Sequence, residues 1–477
     1  MTPKPLALAA LMPLALSACA AGPAPDIATP VPALPDGYFT AADDAAQGDL
    51  AQLLPHSDPA FQALRDQALA NGPTLAVAMA RIEAARAGAA RAGAELFPNI
   101  GVNASATRNR TNPQQVGANL PAGVSIDTER TTYAGNVTAR WDADLFGALK
   151  ANKRAALARL DAANASAQAV RLALVSEIAT SVIAWRSLET REAALKEDLE
   201  AAKQLAILAG KREEAGLAPG FDLVRAEAAA ASSQSRLTTL DSERAQLVGR
   251  LVTLTAMDAG NVTTALAQPV VSAGLPTPPA SLPSDLLQNR PDVAQAAAEL
   301  TASDAELAYA ARQRFPKLTL SAAIGLLAFD TANLFDNDSL VGSLGAGLAG
   351  PLLDFGRIAA EIDGATANKR AAFAAYRGAV FGALGDAEAA YGLVDTADIQ
   401  AKAAKVEAEN LQHAARLADT RYRAGLADFL TVLEARRAAD ASGERAASAM
   451  AQARRARVLL WQALGGDYSV SPSKGAI

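Results

Sequence analysis

The chain carries little with which to make or break bonds. One cysteine, Cys19, and two histidines, His56 and His413, are scattered through 477 residues, whereas metal binding or nucleophilic catalysis asks for several such groups to converge. No such spacing stands out and no cofactor is called for. His56 in a polar pre-helical segment and His413 inside a long helical tract read as surface residues. Cys19 is the exception. It follows Leu16-Ser17-Ala18, behind a basic start at Lys4 and a short apolar run, Leu6 to Leu16, that Pro13 interrupts. That layout over residues 1–18 is a cleaved secretory signal rather than a membrane span. A lone thiol cannot close an intrachain disulfide, and Leu-Ser-Ala-Cys looks like a bacterial lipobox, whose cysteine becomes the acylated first residue of the mature chain. The alternative is an ordinary free cysteine. Several acyl chains on one residue anchor firmly, at about 0.8 kcal/mol per buried methylene.

The formal net charge is -6, the sequence pI is near 5.3 and no dense basic tract occurs, which argues against nucleic acid as a partner. A proline- and alanine-rich stretch from Gly22 to Pro35 reads as an extended tether. Beyond it, the chain repeats itself. Asn71-Gly72-Pro73 and Phe97-Pro98 return at one constant offset as Asn289-Arg290-Pro291 and Phe315-Pro316. Phe146-Gly147, Gly216 and Ala226 return at a second as Phe355-Gly356, Gly425 and Ala435. Landmarks that keep their order across half a chain imply one structural unit used twice. The boundaries expected are a linker at 19–57, repeats at 58–260 and 284–464, a surface connection at 261–283 and a tail at 465–477.

Each repeat reads as helix, hairpin, then long helices. Residues Pro59 to Leu96 space Leu64, Leu69, Leu75, Met79 and Ile82 as a helix, which Phe97-Pro98 ends. Ile100, Val102, Ala104 and Ala106 then alternate with polar residues, the period of a strand over 99–108. After a polar loop, Tyr133, Val137, Ala139 and Trp141 alternate over 131–142. The second repeat offers strands at 317–325 and 340–350. Two hairpins in an otherwise helical chain have no partner sheet. An open four-stranded sheet with bare edges is poor in water and worse in lipid; sharing strands among three copies gives twelve, a plausible transmembrane barrel. A soluble sandwich fits the alternation equally well. Tyr133 and Trp141 are candidate interfacial aromatics, or core residues.

The tracts from Ala148 to Arg212 and from Arg357 to Arg423 would each reach roughly 100 Å as helix. Each ends at a glycine, Gly216 or Gly425, after which a second helix starts near Phe221 or Asp428 and doubles back toward Met257 or Leu464. A filamentous coiled coil is the competing reading.

Together these marks resemble the outer-membrane efflux protein family, the TolC-like channel components of Gram-negative tripartite pumps and type I exporters, and within it the lipoprotein branch. The likeness runs from Asp58 to Leu464. It is carried by Asn289-Arg290-Pro291-Asp292-Val293, Trp141 through Asp144-Leu145-Phe146-Gly147, Pro351 through Asp354-Phe355-Gly356-Arg357, and Tyr422-Arg423-Ala424-Gly425 leading to Thr431-Val432-Leu433-Glu434-Ala435. The resemblance implies a mixed α+β membrane fold: a homotrimer whose twelve-stranded barrel in the outer membrane continues into a long periplasmic helical barrel. It implies a periplasmic adaptor and an inner-membrane transporter, of the resistance-nodulation-division type, as partners, and passive export as function. It also implies an equatorial belt that includes parts of Asp258 to Leu282 and the tail after Gly465, and a constriction at the second helical tip, made by Leu430, Glu434 and Arg437. Spacings of four and three put these on one helical face, where threefold symmetry would make an apolar ring and a carboxylate ring. The family has aspartate where this chain has Glu434. Tyr422 and Asp428 are further gate candidates, Tyr422 alternatively packing across the hairpin and Asp428 alternatively capping a helix. The turns bearing Gly216, Leu217, Gly425 and Leu426 would meet the adaptor. A structural envelope lipoprotein, a type I protein-secretion channel and a secreted enzyme are the alternatives.

Overall fold

The computed structural model describes residues 27–30, 32–40, 50–112, 129–270, 274–279, 285 and 289–466; Cys19, the signal segment and most of the expected tail lie outside them. In chain order the elements are α1 (Pro59–Asn71), α2 (Pro73–Ala94), β1 (Asn99–Arg110), β2 (Glu129–Ala143), α3 (Ala148–Glu214), α4 (Gly220–Thr255) and α5 (Ala259–Leu266). The second half contributes α6 (Pro291–Arg312), β3 (Lys317–Ala328), β4 (Leu340–Ala349), α7 (Arg357–Arg423) and α8 (Phe429–Ala463). All four expected strands form, β3 running three residues farther than the alternation suggested. The single helix expected from Pro59 to Leu96 is two. Pro73 has no amide hydrogen to donate, and Gly72 before it is extended, with φ -64° and ψ 125°, as a residue preceding proline prefers. Its amide still closes α1 on Ala68 O at 2.8 Å.

The described residues form two compact units, and neither follows the sequence repeats: those within 27–30, 83–161 and 298–374, and those within 32–82, 162–297 and 375–466. The first unit holds a single antiparallel sheet in the order β1-β2-β3-β4. Its register aligns the alternation of every strand. Val102 lies opposite Val137, Val137 opposite Ile324, and Ile324 opposite Gly342. One face therefore carries Ile100, Tyr133, Trp141, Leu320, Leu344 and Leu348; the other carries Asn103, Asn136, Thr138, Thr319 and Ser343. The apolar face is bare: Val102 is 82% exposed and Leu344 87%. Among the described residues β1 and β4 have no strand beyond them.

Where the sheet gives way to helix, both repeats use one device. Asp144 accepts the amides of Leu149 and Lys150 at 3.0 and 2.8 Å, and Asp354 accepts those of Gly356 and Ile358 at 3.2 and 2.9 Å. Each carboxylate thus satisfies the free amides at the start of a 67-residue helix. The glycines that follow, Gly147 and Gly356, have φ of 75° and 91°, a region closed to most side chains. Phe146 stacks on Phe315 at 4.6 Å between centroids, so the repeated Phe-Gly and Phe-Pro signatures meet in one place. Trp141 donates from Nε1 to Leu96 O at 2.9 Å.

In the second unit the main core gathers Phe61 and Leu64 of α1, Ile178 and Val182 of α3, Leu251 of α4, and Leu460 and Trp461 of α8. The connection at 261–283, expected to lie on the surface, instead contributes α5. Its Val262 and Leu266 are fully buried in that core, and Asp258 caps it by accepting from Asn261 N at 3.0 Å. Helix propensity missed it because glycine, asparagine and two threonines take four of its eight positions, and burial outweighs those preferences. The Asn-Arg-Pro-Asp-Val motif has an architectural role here. Arg290 donates to Asp292, to Asp386 of α7 at 3.0 Å and to Ala463 O at the end of α8 at 3.0 Å, while Val293 enters the core. Helix α3 includes a window apolar enough to cross a membrane, but half of it is buried within the protein.

Candidate gating site

The two hairpin turns are built alike. After α3, the Gly216 amide bonds Glu213 O and the Leu217 amide bonds Arg212 O, both at 2.8 Å. After α7, Gly425 bonds Tyr422 O at 2.9 Å and Leu426 bonds Arg421 O at 2.8 Å. Gly216 and Gly425 have φ of 69° and 73°. This is the left-handed closure in which a glycine lets the last carbonyls of a helix find donors. Leu217 and Leu426 project from the turns, 78% and 69% exposed.

Below the turns, the four helices share an apolar cluster: Leu205 and Ala209 of α3, Ala226 of α4, Ala418 and Tyr422 of α7, and Phe429, Val432 and Leu433 of α8. Alanine at Ala226, one of the repeated landmarks, is fully buried there. The cluster fixes which way α8 faces. With Phe429, Val432 and Leu433 turned inward, Leu430, Glu434 and Arg437 all lie on the exposed side. Glu434 and Arg437 form no ion pair with each other. Their face is thus a stripe of one leucine, one carboxylate and one guanidinium, free to meet other groups.

Tyr422 is not on that stripe. It is 2% exposed, its ring lies edge-on to Phe429 at 6.1 Å, and the Arg212 guanidinium sits over it at 4.2 Å while donating to Tyr422 O at 3.0 Å. Of its two sequence readings, packing across the hairpin is the one seen. Asp428 caps α8, accepting from Thr431 N at 2.7 Å; hydrogen bonds from the Thr431 hydroxyl and then its amide hold the carboxyl below the usual range. His413 is exposed, as expected. His56 is half-buried, edge-on to Phe61 at 5.5 Å with Arg65 3.2 Å from Nδ1, because Phe61 anchors the first turn of α1 in the core. Among the described residues no group of three or more metal-ligating side chains converges.

Sequence reasoning missed the polar groups that bind the hairpins together. Asp419 of α7 accepts from Arg423 at 2.8 Å and from Arg436 of α8 at 3.0 Å. Burial alone would raise its pKa, but the two arginines hold it low. Farther along, Ser233 of α4 donates to Asp198 of α3, and Arg236 of α4 pairs with Glu444 of α8 at 2.8 Å. Asp440 of α8 lies against Asp198. Apart from Asp419 and Arg423, four residues apart on α7, no spacing announces such pairs, since the partners lie on different helices.

The model of the family described as outer membrane efflux protein matches residues 64–257 and 282–466. A pyoverdine export outer membrane protein of Pseudomonas aeruginosa, OpmQ, is 31% identical over 456 residues, 95% of each chain. The toluene efflux pump outer membrane protein TtgI of Pseudomonas putida is 30% identical, over 94% of this chain and 95% of that one. The solved outer-membrane channel OprN superposes with a TM-score of 0.83 at 27% identity, covering 93% of this chain and 98% of that one. The chain therefore belongs to the outer membrane efflux protein family, and its place is the outer membrane of a Gram-negative cell.

Proposed function

We propose that this efflux protein works as a homotrimer, with the sheet closing into a twelve-stranded barrel and the hairpin tips forming a gate that small molecules pass without being chemically altered. The observation that carries the reading is the sheet itself. Four strands have one bare apolar face, one polar face and two open edges, and lipid tolerates a sheet only when every edge is paired. Three copies pair β4 of one with β1 of the next, put the apolar faces on lipid and leave the polar face around a wet lumen.

At the tips, Leu430 supplies an apolar ring and Glu434 a carboxylate ring one turn above it. Such rings narrow a pore, attract cations and repel anions. Arg437, one turn on, balances the carboxylate or reaches a neighbouring subunit. Glutamate in place of the family's aspartate extends the ring one methylene farther toward the axis. The exposed turns at Leu217 and Leu426 receive a periplasmic adaptor, which joins the channel to an inner-membrane transporter of the resistance-nodulation-division type. Selection of cargo rests with that transporter. Acylation at Cys19 adds a second hold on the outer membrane.

Planar bilayers test the gate. Wild-type protein is expected to show low, cation-selective conductance. The double variant Leu430→Ala with Glu434→Ala is expected to conduct more and to select cations less. Equal conductance and selectivity in the two would remove the gate from these residues.

A further inference from the structure

A layer of charge crosses the two hairpins above the apolar tip cluster. Asp198 comes from α3, Ser233 and Arg236 from α4, Asp419 from α7, and Arg436, Asp440 and Glu444 from α8. Two of the carboxylates have a cation: Glu444 has Arg236, and Asp419 has both Arg423 and Arg436. Asp198 has instead the hydroxyl of Ser233, itself 4% exposed, and the Asp440 carboxyl. Two carboxyl groups in contact, half-buried, cannot both be ionised cheaply. One of them must hold a proton, and that proton is the bond between them.

We propose that Asp198 and Asp440 form a proton-dependent latch between the α3–α4 hairpin and the α7–α8 hairpin, closed while the pair shares a proton and released when the proton leaves. Resting on the gate reading above, it names the group whose protonation biases that gate.

The electrostatics run the same way. Burial, then the hydrogen bond and the negative charge of Asp198, push the Asp440 carboxyl up to about 8, against the pull of Arg236 and Arg436. Moving the hairpins apart returns Asp440 to water and to an ordinary carboxyl, which at neutral pH gives its proton to solvent. Opening therefore releases up to one proton per protomer. The closed state binds more protons than the open state between the usual aspartate value of about 4 and the raised value, so the closed state loses stability as pH rises through that window. The closed-to-open ratio falls by up to about tenfold per pH unit per protomer. Above the window Asp440 is charged beside the Asp198 carboxyl, and the latch repels.

Spin labels on Ser235→Cys and Ala441→Cys, exposed positions on α4 and α8, report the separation of the hairpins in the full-length protein in lipid. From about pH 5 to about pH 9, the wild-type background is expected to shift toward longer distances. Asp440→Asn, which keeps a hydrogen bond to Asp198 and cannot titrate, should abolish the shift and hold the short distance; Asp440→Glu should restore the response. Asp198→Asn removes the same like-charge pair from the other side and serves if the first variant does not fold. A wild-type distribution that ignores pH, or an Asp440→Asn response that follows wild type, overturns the latch. Because the labels need no current, a protein that never conducts in bilayers would sink the channel reading while the distances still decided the latch.

Discussion

Charged residues in this protein divide by what their partner is, and the division sets how each responds to substitution. Arg186 of α3 donates to Asp58 at 2.8 and 3.0 Å, to Glu189 at 2.9 Å and to the carbonyls of Leu266 and Gln268. Its side chain is 10% exposed and that of Asp58 4%. Asp58 also caps α1 through Ala60 N. One guanidinium thus ties α1, α3 and the end of α5. Removing one partner of such a buried pair leaves the other charged and unsatisfied, which costs about 3–5 kcal/mol. Arg186→Ala is expected to lower stability by that amount in denaturant unfolding, against only a few tenths for Lys203→Ala, whose pair with Glu200 lies on the surface. A loss for Arg186→Ala as small as the surface variant's would show that the network is not coupled to folding. The pH behaviour separates along the same line. Asp292 and Asp419, lowered against burial by their arginines, stabilise at neutral pH and lose that contribution only as pH falls through their lowered values. Asp440 has the opposite sign, and weakens the closed hairpins as pH rises.

At the scale of elements, glycine has two meanings on one hairpin. Gly425 holds φ at 73°, where a side chain costs about 1–2 kcal/mol, and its amide and the next one close α7. Gly443 lies inside α8 with open space where a Cβ would go, and there glycine is worse than alanine by about 1 kcal/mol. The same replacement should therefore act in opposite directions: Gly425→Ala lowers the unfolding midpoint and Gly443→Ala raises it. If both shifted alike, the turn would not be held in the left-handed region. The helical period, the Phe-Pro stops and the four alternating strands were legible from residue types because they are local. The break at Gly72-Pro73 was written there too, in a proline that the run of leucines masked. Helix α5 was not, since Val262 and Leu266 are helical on account of the core that receives them. Of the site, the Leu430, Glu434 and Arg437 stripe followed from spacing. Tyr422 required the α3 helix, because Arg212 is what holds it inside.

For the whole molecule the sheet decides the environment. Leu344 sits mid-strand on the bare face, with Ser343 beside it on the polar one. If the first face meets lipid and the second a lumen, Leu344→Arg should cost about 2–4 kcal/mol of membrane stability and lower the yield of the proposed trimer, assayed on unheated gels. Ser343→Arg should assemble normally and change conductance instead. Equal assembly of both would contradict a lipid-facing apolar side.

The sequence by itself determined what depends on neighbours along the chain: two copies of one pattern, strands of period two, helices far longer than a globular core holds, and turns at Gly216 and Gly425. It also determined the family, because those marks keep their order. Only the tertiary structure decided that the units cut across the repeats, that the connection helix is core, that Tyr422 is packed rather than exposed, and that Asp198 meets Asp440. Each of those is a contact between segments remote in sequence, whose energy comes from burial and charge pairing in a shared low-dielectric space that no local spacing records.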